Sequence, residues 1–249
     1  MKTHRLIFTI MLLACVSCNS NAQVSGLNGK GFAVIELFTS EGCSSCPPAD
    51  ELVDKIQKDN NNGQIYILAF HVDYWDHQGW KDRFSDQEFS KRQRQYASWL
   101  KLETVYTPQI VVNGTTECVG SDQGAVLKAM AAGLDQESTK TLMLTSRIER
   151  GQLTVQYEGA GDEKKSELVL ALIQKSAQSN VSAGENSGKR LSHVQIVRQI
   201  ARFPIDINSK KDITMKLPDD FTAKDWELIG FVQNKSNGHI TAAARSAFQ

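Results

Sequence analysis

The feature that most constrains this chain is a pair of cysteines, Cys43 and Cys46, placed just after a short apolar run and just before two prolines. Val34-Ile35-Glu36-Leu37-Phe38 has the length and composition of a buried strand. Pro47 and Pro48 lack amide protons and fit a helix only in its first turn, so a helix is predicted to open near Cys46 and run toward Lys58. Leu52, Val53 and Ile56 give it an inward face, and Asn60-Asn61-Asn62-Gly63 ends it. Residues 65–72, rich in β-branched and apolar side chains, read as a second strand. Strand, helix and strand in this order make a βαβ unit, for which parallel pairing is expected.

Residues 73–83 mix aromatics and charges without a period and read as a structured loop. Ser85 with Glu88 three residues later is a capping-box pattern, opening a helix that faces inward through Phe89, Tyr96 and Leu100. Lys91, Arg92 and Arg94 are expected on its solvated side. Thr107-Pro108 precedes a strand at 109–112, Asn113-Gly114 is a hairpin turn, 116–119 is the return strand, and a helix over 121–134 follows. Beyond about Thr139 the pattern becomes strand-rich, with candidates at 142–150, 153–157, 168–173, 191–197, 213–217, 226–233 and 239–244 and a second hairpin turn at Asn237-Gly238. Short strands without long helices between them suggest a mainly antiparallel, sandwich-like unit. A chain of 249 residues suits two domains, here expected at 23–138 and 139–249.

Residues 1–22 read as an export signal: Lys2 and Arg5 form a basic start, and the apolar run 6–16 is too short to span a bilayer. Ser20-Asn21-Ala22 suits cleavage ahead of Gln23, giving a periplasmic or extracellular protein without a transmembrane segment. In a rival cut, the imperfect lipobox Leu12-Leu13-Ala14-Cys15 leaves Cys15, or else Cys18, as an acylated anchor. Lys plus Arg and Asp plus Glu both number 28, so no excess positive charge suggests a nucleic-acid partner. Of five cysteines, only Cys43, Cys46 and Cys118 lie outside the signal, too few for a disulfide-stapled scaffold.

Two cysteines separated by two residues at a strand-to-helix junction can close a small disulfide. Cys43, the outer one, is expected to be exposed and nucleophilic, its thiolate favoured by the free amides of Ser44, Ser45 and Cys46 and by the helix end. Cys46 would then resolve the mixed disulfide. The pair needs no cofactor for this chemistry, which calls for a thiol or disulfide protein substrate and a separate redox partner. Two other readings stay open: a copper-holding or metal-delivery protein using Cys43, Cys46 and perhaps His71, since soft thiolates suit Cu(I), and an interaction module in which the pair is a permanent staple.

The stretch from Glu36 through Thr39-Ser40-Glu41-Gly42-Cys43-Ser44-Ser45-Cys46-Pro47-Pro48-Ala49-Asp50 resembles the signature of the secreted thioredoxin-like family catalogued as domain of unknown function 1223. His71-Val72-Asp73-Tyr74-Trp75-Asp76, Gly79-Trp80, Arg92-Gln93, Tyr96, Val105-Tyr106-Thr107-Pro108-Gln109, Val111-Val112-Asn113-Gly114, Gly184-Glu185-Asn186, His193 and Val197-Arg198 are similar to its later motifs. The resemblance implies an α/β thioredoxin-like N-terminal domain followed by the β-rich domain, with a presumed thiol redox role. It also implies that Pro108 is a cis proline facing the cysteines, with the Thr107 backbone free to pair with an extended peptide; the residues alone equally allow a trans proline at a strand start.

Glu36, in the strand before the pair, is a candidate buried carboxylate to take the Cys46 proton, although its offset from Cys43 sets it one residue out of step with the acid of thioredoxins. His71 and Asp73, within the polar group that includes Asp76 and His77, are kept as site neighbours. Trp75 and Trp80 are expected to be packing residues, and Cys118 a buried, inert thiol.

Overall fold

A computed structural model describes residues 31–61, 63–159, 164–205 and 212–248; the signal segment and its cleavage point lie outside the described residues. Strand β1 (Ala33–Thr39) is buried along its whole length. Its alternating side chains explain why the run reads as continuously apolar, for both of its faces are covered. Ala33, Ile35 and Leu37 pack with Ala49, Leu52, Val53 and Ile56 of helix α1 (Pro47–Asp59). Val34 and Phe38 face the other way, toward Phe89 and Tyr96 of helix α2 (Gln87–Leu100). Strand β2 (Ile65–His71) runs parallel to β1 from Ala33↔Ile65 to Thr39↔His71, as the βαβ reading expects.

Hairpin β3 (Gln109–Val112) and β4 (Thr116–Val119) turns at Asn113-Gly114, both at positive φ (50° and 69°), and β3 pairs antiparallel with β1. Helix α3 (Gln123–Asp135) closes this half. The second half adds β5 (Leu142–Glu149), β6 (Gln152–Gly159), β7 (Ser166–Asn180), β8 (Arg190–Pro204), β9 (Ile213–Lys216), β10 (Trp226–Asn234) and β11 (Ile240–Ser246).

These strands form two sheets, an eight-stranded one in the order β11-β10-β7-β8-β2-β1-β3-β4 and a three-stranded one in the order β5-β6-β9. The C-terminal strands do stack two sheets face to face: Leu144, Leu153 and Val155 of the small sheet meet Leu168, Leu170, Leu172 and Leu228 of the large one. The large sheet, however, is continuous across residue 139, because β8 meets β2 in parallel at Ala69↔Ile196. One apolar cluster likewise runs from Val34, Phe38 and Phe70 to Val169, Val197, Ile229 and Phe231.

Two local expectations are corrected. Helix α2 is capped by Asp86, whose side chain accepts from the Glu88 amide, one residue later than the Ser85 pattern suggests. Arg92, expected in solvent, is 1% exposed. Its guanidinium donates from Nε and Nη2 to the Glu36 carboxylate (2.5 and 2.8 Å), which also accepts from Tyr96 Oη at 2.5 Å. Gln233 of β10 joins through Tyr96 Oη and Arg92 Nη1 at 2.8 and 3.2 Å. Burial disfavours the Arg92 charge, but the Glu36 carboxylate outweighs it and raises the guanidinium pKa further. Removing one partner of such a pair strands the other charge in the core. Arg92→Ala is therefore expected to lower the unfolding free energy by about 3–5 kcal/mol, measured by urea denaturation.

Candidate active site

The turn between β1 and α1 brings the cysteines together. Cys43 and Cys46 form a disulfide with their Cα atoms 5.5 Å apart. The Cys46 carbonyl accepts from the Ala49 and Asp50 amides (2.9 and 3.2 Å), so α1 begins on the second cysteine, where Pro47 and Pro48 forfeit only amides that a first turn leaves unused. The Thr107–Pro108 peptide is cis, the geometry that the family resemblance implies.

Cys43 was expected to be open to solvent and is instead fully buried, as is Cys46. Ser44 and Ser45 form the exposed rim over the pair. Ser45 Oγ lies 3.4 Å from Cys43 Sγ and donates to the Thr107 carbonyl at 3.4 Å. The free amides anticipated around Cys43 are also largely occupied. Ser44 N donates to Glu185 Oε2 at 3.0 Å, and Cys46 N to the Cys43 carbonyl at 3.2 Å. Hydrogen bonds from Ser44 in turn hold the exposed Glu185 carboxyl below its usual range. Asn186 Nδ2 donates to the carbonyls of both Glu41 and Cys43, each at 2.9 Å. The connection between β7 and β8 thus pins the cysteine loop from outside.

Glu36 is not brought to the pair. It projects to the α2 face, where Arg92 and Tyr96 engage it, whereas α1 and the cysteines begin on the opposite face. The odd register of a strand residue decides this. Asp73 is also turned away, bonding through its side chain and amide to Ser90 of α2.

A different buried polar group flanks the disulfide. Glu41 lies two residues before Cys43, Asp50 four residues after Cys46, and His193 of β8 lies between them. His193 Nε2 is 3.5 Å from Glu41 Oε1 and its Nδ1 is 3.7 Å from Asp50 Oδ1, distances that favour charge pairing over well-formed hydrogen bonds. Trp80 Nε1 donates to Glu41 Oε2 at 2.8 Å, and Thr39 Oγ1 to Asp50 Oδ2 at 3.1 Å. The His193 ring stands edge-on to His71 at 4.8 Å, and His71 Nδ1 pairs with Asp82 Oδ2 at 2.6 Å. His71 thus contacts this polar group through Asp82 and His193. Burial disfavours a charged His193, but Asp50 and Glu41 outweigh it and raise its pKa to about 9. Burial likewise pushes Asp82 up, and the His71 charge and hydrogen bond more than reverse this.

Trp75 also reaches the site, donating from Nε1 to Thr107 Oγ1 at 2.8 Å, so both tryptophans have polar roles as well as packing ones. Cys118 is free and half-buried; burial first, then Glu117 and Asp122, raise its thiol to about 11, which keeps it protonated.

Fold and site together define a mixed α/β protein with a large, mostly antiparallel sheet, a second smaller sheet, and a disulfide at a strand-to-helix junction. The chain belongs to the family described as a protein of unknown function (DUF1223), whose model matches residues 34–233. It is similar to the crystal structure of protein AGR_C_4864 from Agrobacterium tumefaciens, at 28% identity and a TM-score of 0.64, over 86% of this chain and 92% of that one. It also resembles HBP35 of Porphyromonas gingivalis at 18% identity and a TM-score of 0.64, over 89% of this chain and 76% of that one, a likeness of fold alone. No curated protein matches in sequence.

The raised His193 pKa makes a pH-dependent contribution to stability. The folded protein holds this proton more tightly than the unfolded chain, where histidine titrates near 6.5. The contribution is complete below about pH 6.5 and is lost as pH rises through about 9. Chemical denaturation between pH 6 and 10 is expected to reveal a decline of roughly 2–3 kcal/mol that is absent from His193→Gln.

Proposed function

We propose that this protein is an exported thiol–disulfide oxidoreductase of thioredoxin-like fold, exchanging electrons between the Cys43/Cys46 pair and thiols or disulfides of other proteins. The observation that carries the reading is the disulfide at the mouth of α1, tied to Thr107 through Ser45 and close in the fold to buried Glu41, Asp50 and His193. His193, whose pKa burial lowers but Asp50 and Glu41 raise by more, is a group of the kind that concentrates at reactive sites.

In the reducing direction the Cys43 thiolate attacks a substrate sulfur, and Cys46 then displaces the substrate from Cys43. Thr107 and Pro108 line the approach. An extended substrate strand would pair with the Thr107 backbone once Ser45 Oγ gives up its carbonyl, with Ser44 and Ser45 as the remaining contacts. Pro108 offers no competing amide. The basic start and apolar run of residues 1–22 support export, to the periplasm or beyond, with acylation at Cys15 or Cys18 as the anchored form. Among the described residues no helix is long and apolar enough to cross a membrane.

The complete burial of Cys43 favours a second reading, in which the disulfide is a permanent brace and the β-rich half binds a partner. A copper-holding role would draw on His71 Nε2, which lacks a hydrogen-bond partner among the described residues while Asp82 holds Nδ1.

Trapping distinguishes these readings. Cys46→Ser is expected to accumulate mixed disulfides through Cys43 that dithiothreitol releases and that vanish when Cys43→Ser is added. A chain that forms no such adduct, and whose disulfide does not exchange with glutathione, is braced and not catalytic. Stoichiometric, Cys43-dependent uptake of Cu(I) would support the metal reading.

A further inference from the structure

We infer that Asp50, held in place by His193, takes the proton from Cys46 when the mixed disulfide is resolved, so that α1 and β8 complete one exchange site between them. The inference rests on the redox reading above. Cys46 is fully buried, so once the pair is reduced its thiol proton needs an acceptor within the protein. Residues four apart on a helix share a face, which sets Asp50 one turn beyond Cys46, and the two are already linked by the Asp50 amide on the Cys46 carbonyl at 3.2 Å.

Two of the other buried carboxylates are committed elsewhere. Glu41 is not, for it accepts from Trp80 on one oxygen and has only a long contact to His193 on the other, but it precedes Cys43 in the loop and does not lie on the helix that Cys46 opens. Asp82 accepts from the Glu41 and Phe84 amides and pairs with His71. Glu36 is held by Arg92 and Tyr96 on the far face of the sheet. Asp50 has one hydrogen bond, from Thr39, and a long ion pair to His193, which leaves lone pairs free. Its side chain is also 9% exposed, against 0% for Glu41, so a proton taken up there has a way out to water. His193 faces Glu41, Asp50, His71 and Phe84, and its Nδ1 keeps the Asp50 carboxylate in place beside α1.

The step balances as follows. Attack by the Cys43 thiolate breaks the substrate disulfide, joins one substrate sulfur to Cys43 and expels the other as a thiolate. Cys46 Sγ–H passes its proton to the Asp50 carboxylate, and the Cys46 thiolate attacks Cys43 Sγ. The bond from Cys43 to the substrate breaks, the second substrate thiolate leaves, and the Cys43–Cys46 disulfide forms. Two electrons have moved from the pair to the substrate disulfide, and Asp50 returns its proton to solvent.

The experiment uses the reduced full chain carrying Cys15→Ser, Cys18→Ser and Cys118→Ser, with dithionitrobenzoate as the substrate disulfide. Release of the first thionitrobenzoate anion reports attack by Cys43, and the second reports resolution by Cys46. Asp50→Asn is expected to leave the first release within about twofold and to slow the second on the order of 100-fold at pH 6.5. The deficit should shrink toward pH 10, where hydroxide takes the thiol proton in place of Asp50. Asp50→Glu should recover part of the second rate, and His193→Gln should slow that step alone by a smaller factor. Should Asp50→Asn fail to fold, Asp50→Glu and His193→Gln decide by the same comparison. Equal slowing of both releases, an unchanged second release, or a deficit independent of pH overturns the assignment. Absence of the first release from the unsubstituted pair would instead defeat the redox reading itself.

Discussion

The structure depends on the meeting of β2 and β8. Strand β2 is paired along its whole length with β1 on one side, and on the other it meets β8 at Ala69 and Ile196. That junction turns two runs of strands into one sheet and lets a single apolar cluster extend from Val34 to Phe231. It also sets β8 against α1, which brings His193 and Asn186 to the cysteine loop. Without it, the N-terminal half would keep its cysteines but lose the side chains that surround them.

Charge-bearing side chains are costly to bury, and among the described residues two sets of them lie on opposite sides of β1. The Glu36–Arg92 pair is closed: Tyr96 and Gln233 complete its hydrogen bonds, and the set ties β1, α2 and β10 together. The group beside the cysteines is looser, with long contacts around His193 and a slightly exposed Asp50. A fully satisfied network rigidifies a core, and the Glu36–Arg92 set does this for β1, α2 and β10.

Much of the local structure was legible in the residues themselves. The apolar run before Cys43, the paired prolines after Cys46 and the Asn113-Gly114 turn each act over a few residues, and each formed the expected element. What escaped was anything decided at long range. Arg92 sits among charged neighbours that suggest a solvated face, and only the distant Glu36 makes its burial tolerable. Glu36 was the natural acid to choose by its nearness to the pair, but strand alternation turns it away. Asp50 carried a readable signal in its four-residue spacing from Cys46. His193 stood out only as part of the family resemblance, and its partners were hidden because they lie well over a hundred residues earlier in the chain. The burial of Cys43 was equally hidden, since part of its cover arrives with Asn186.

The clasp that Asn186 places on the Glu41 and Cys43 carbonyls has a consequence for the order of events as the polypeptide is made. The two sulfurs emerge early, and the amide that fastens their loop follows about 140 residues later, an interval on the order of 7–30 s at elongation rates of about 5–20 residues per second. Until then the loop that carries Cys43 is held only by bonds to its nearer neighbours, such as the Cys43 amide on the Ser40 carbonyl. Fastening of the cysteine loop therefore waits for the C-terminal half of the chain.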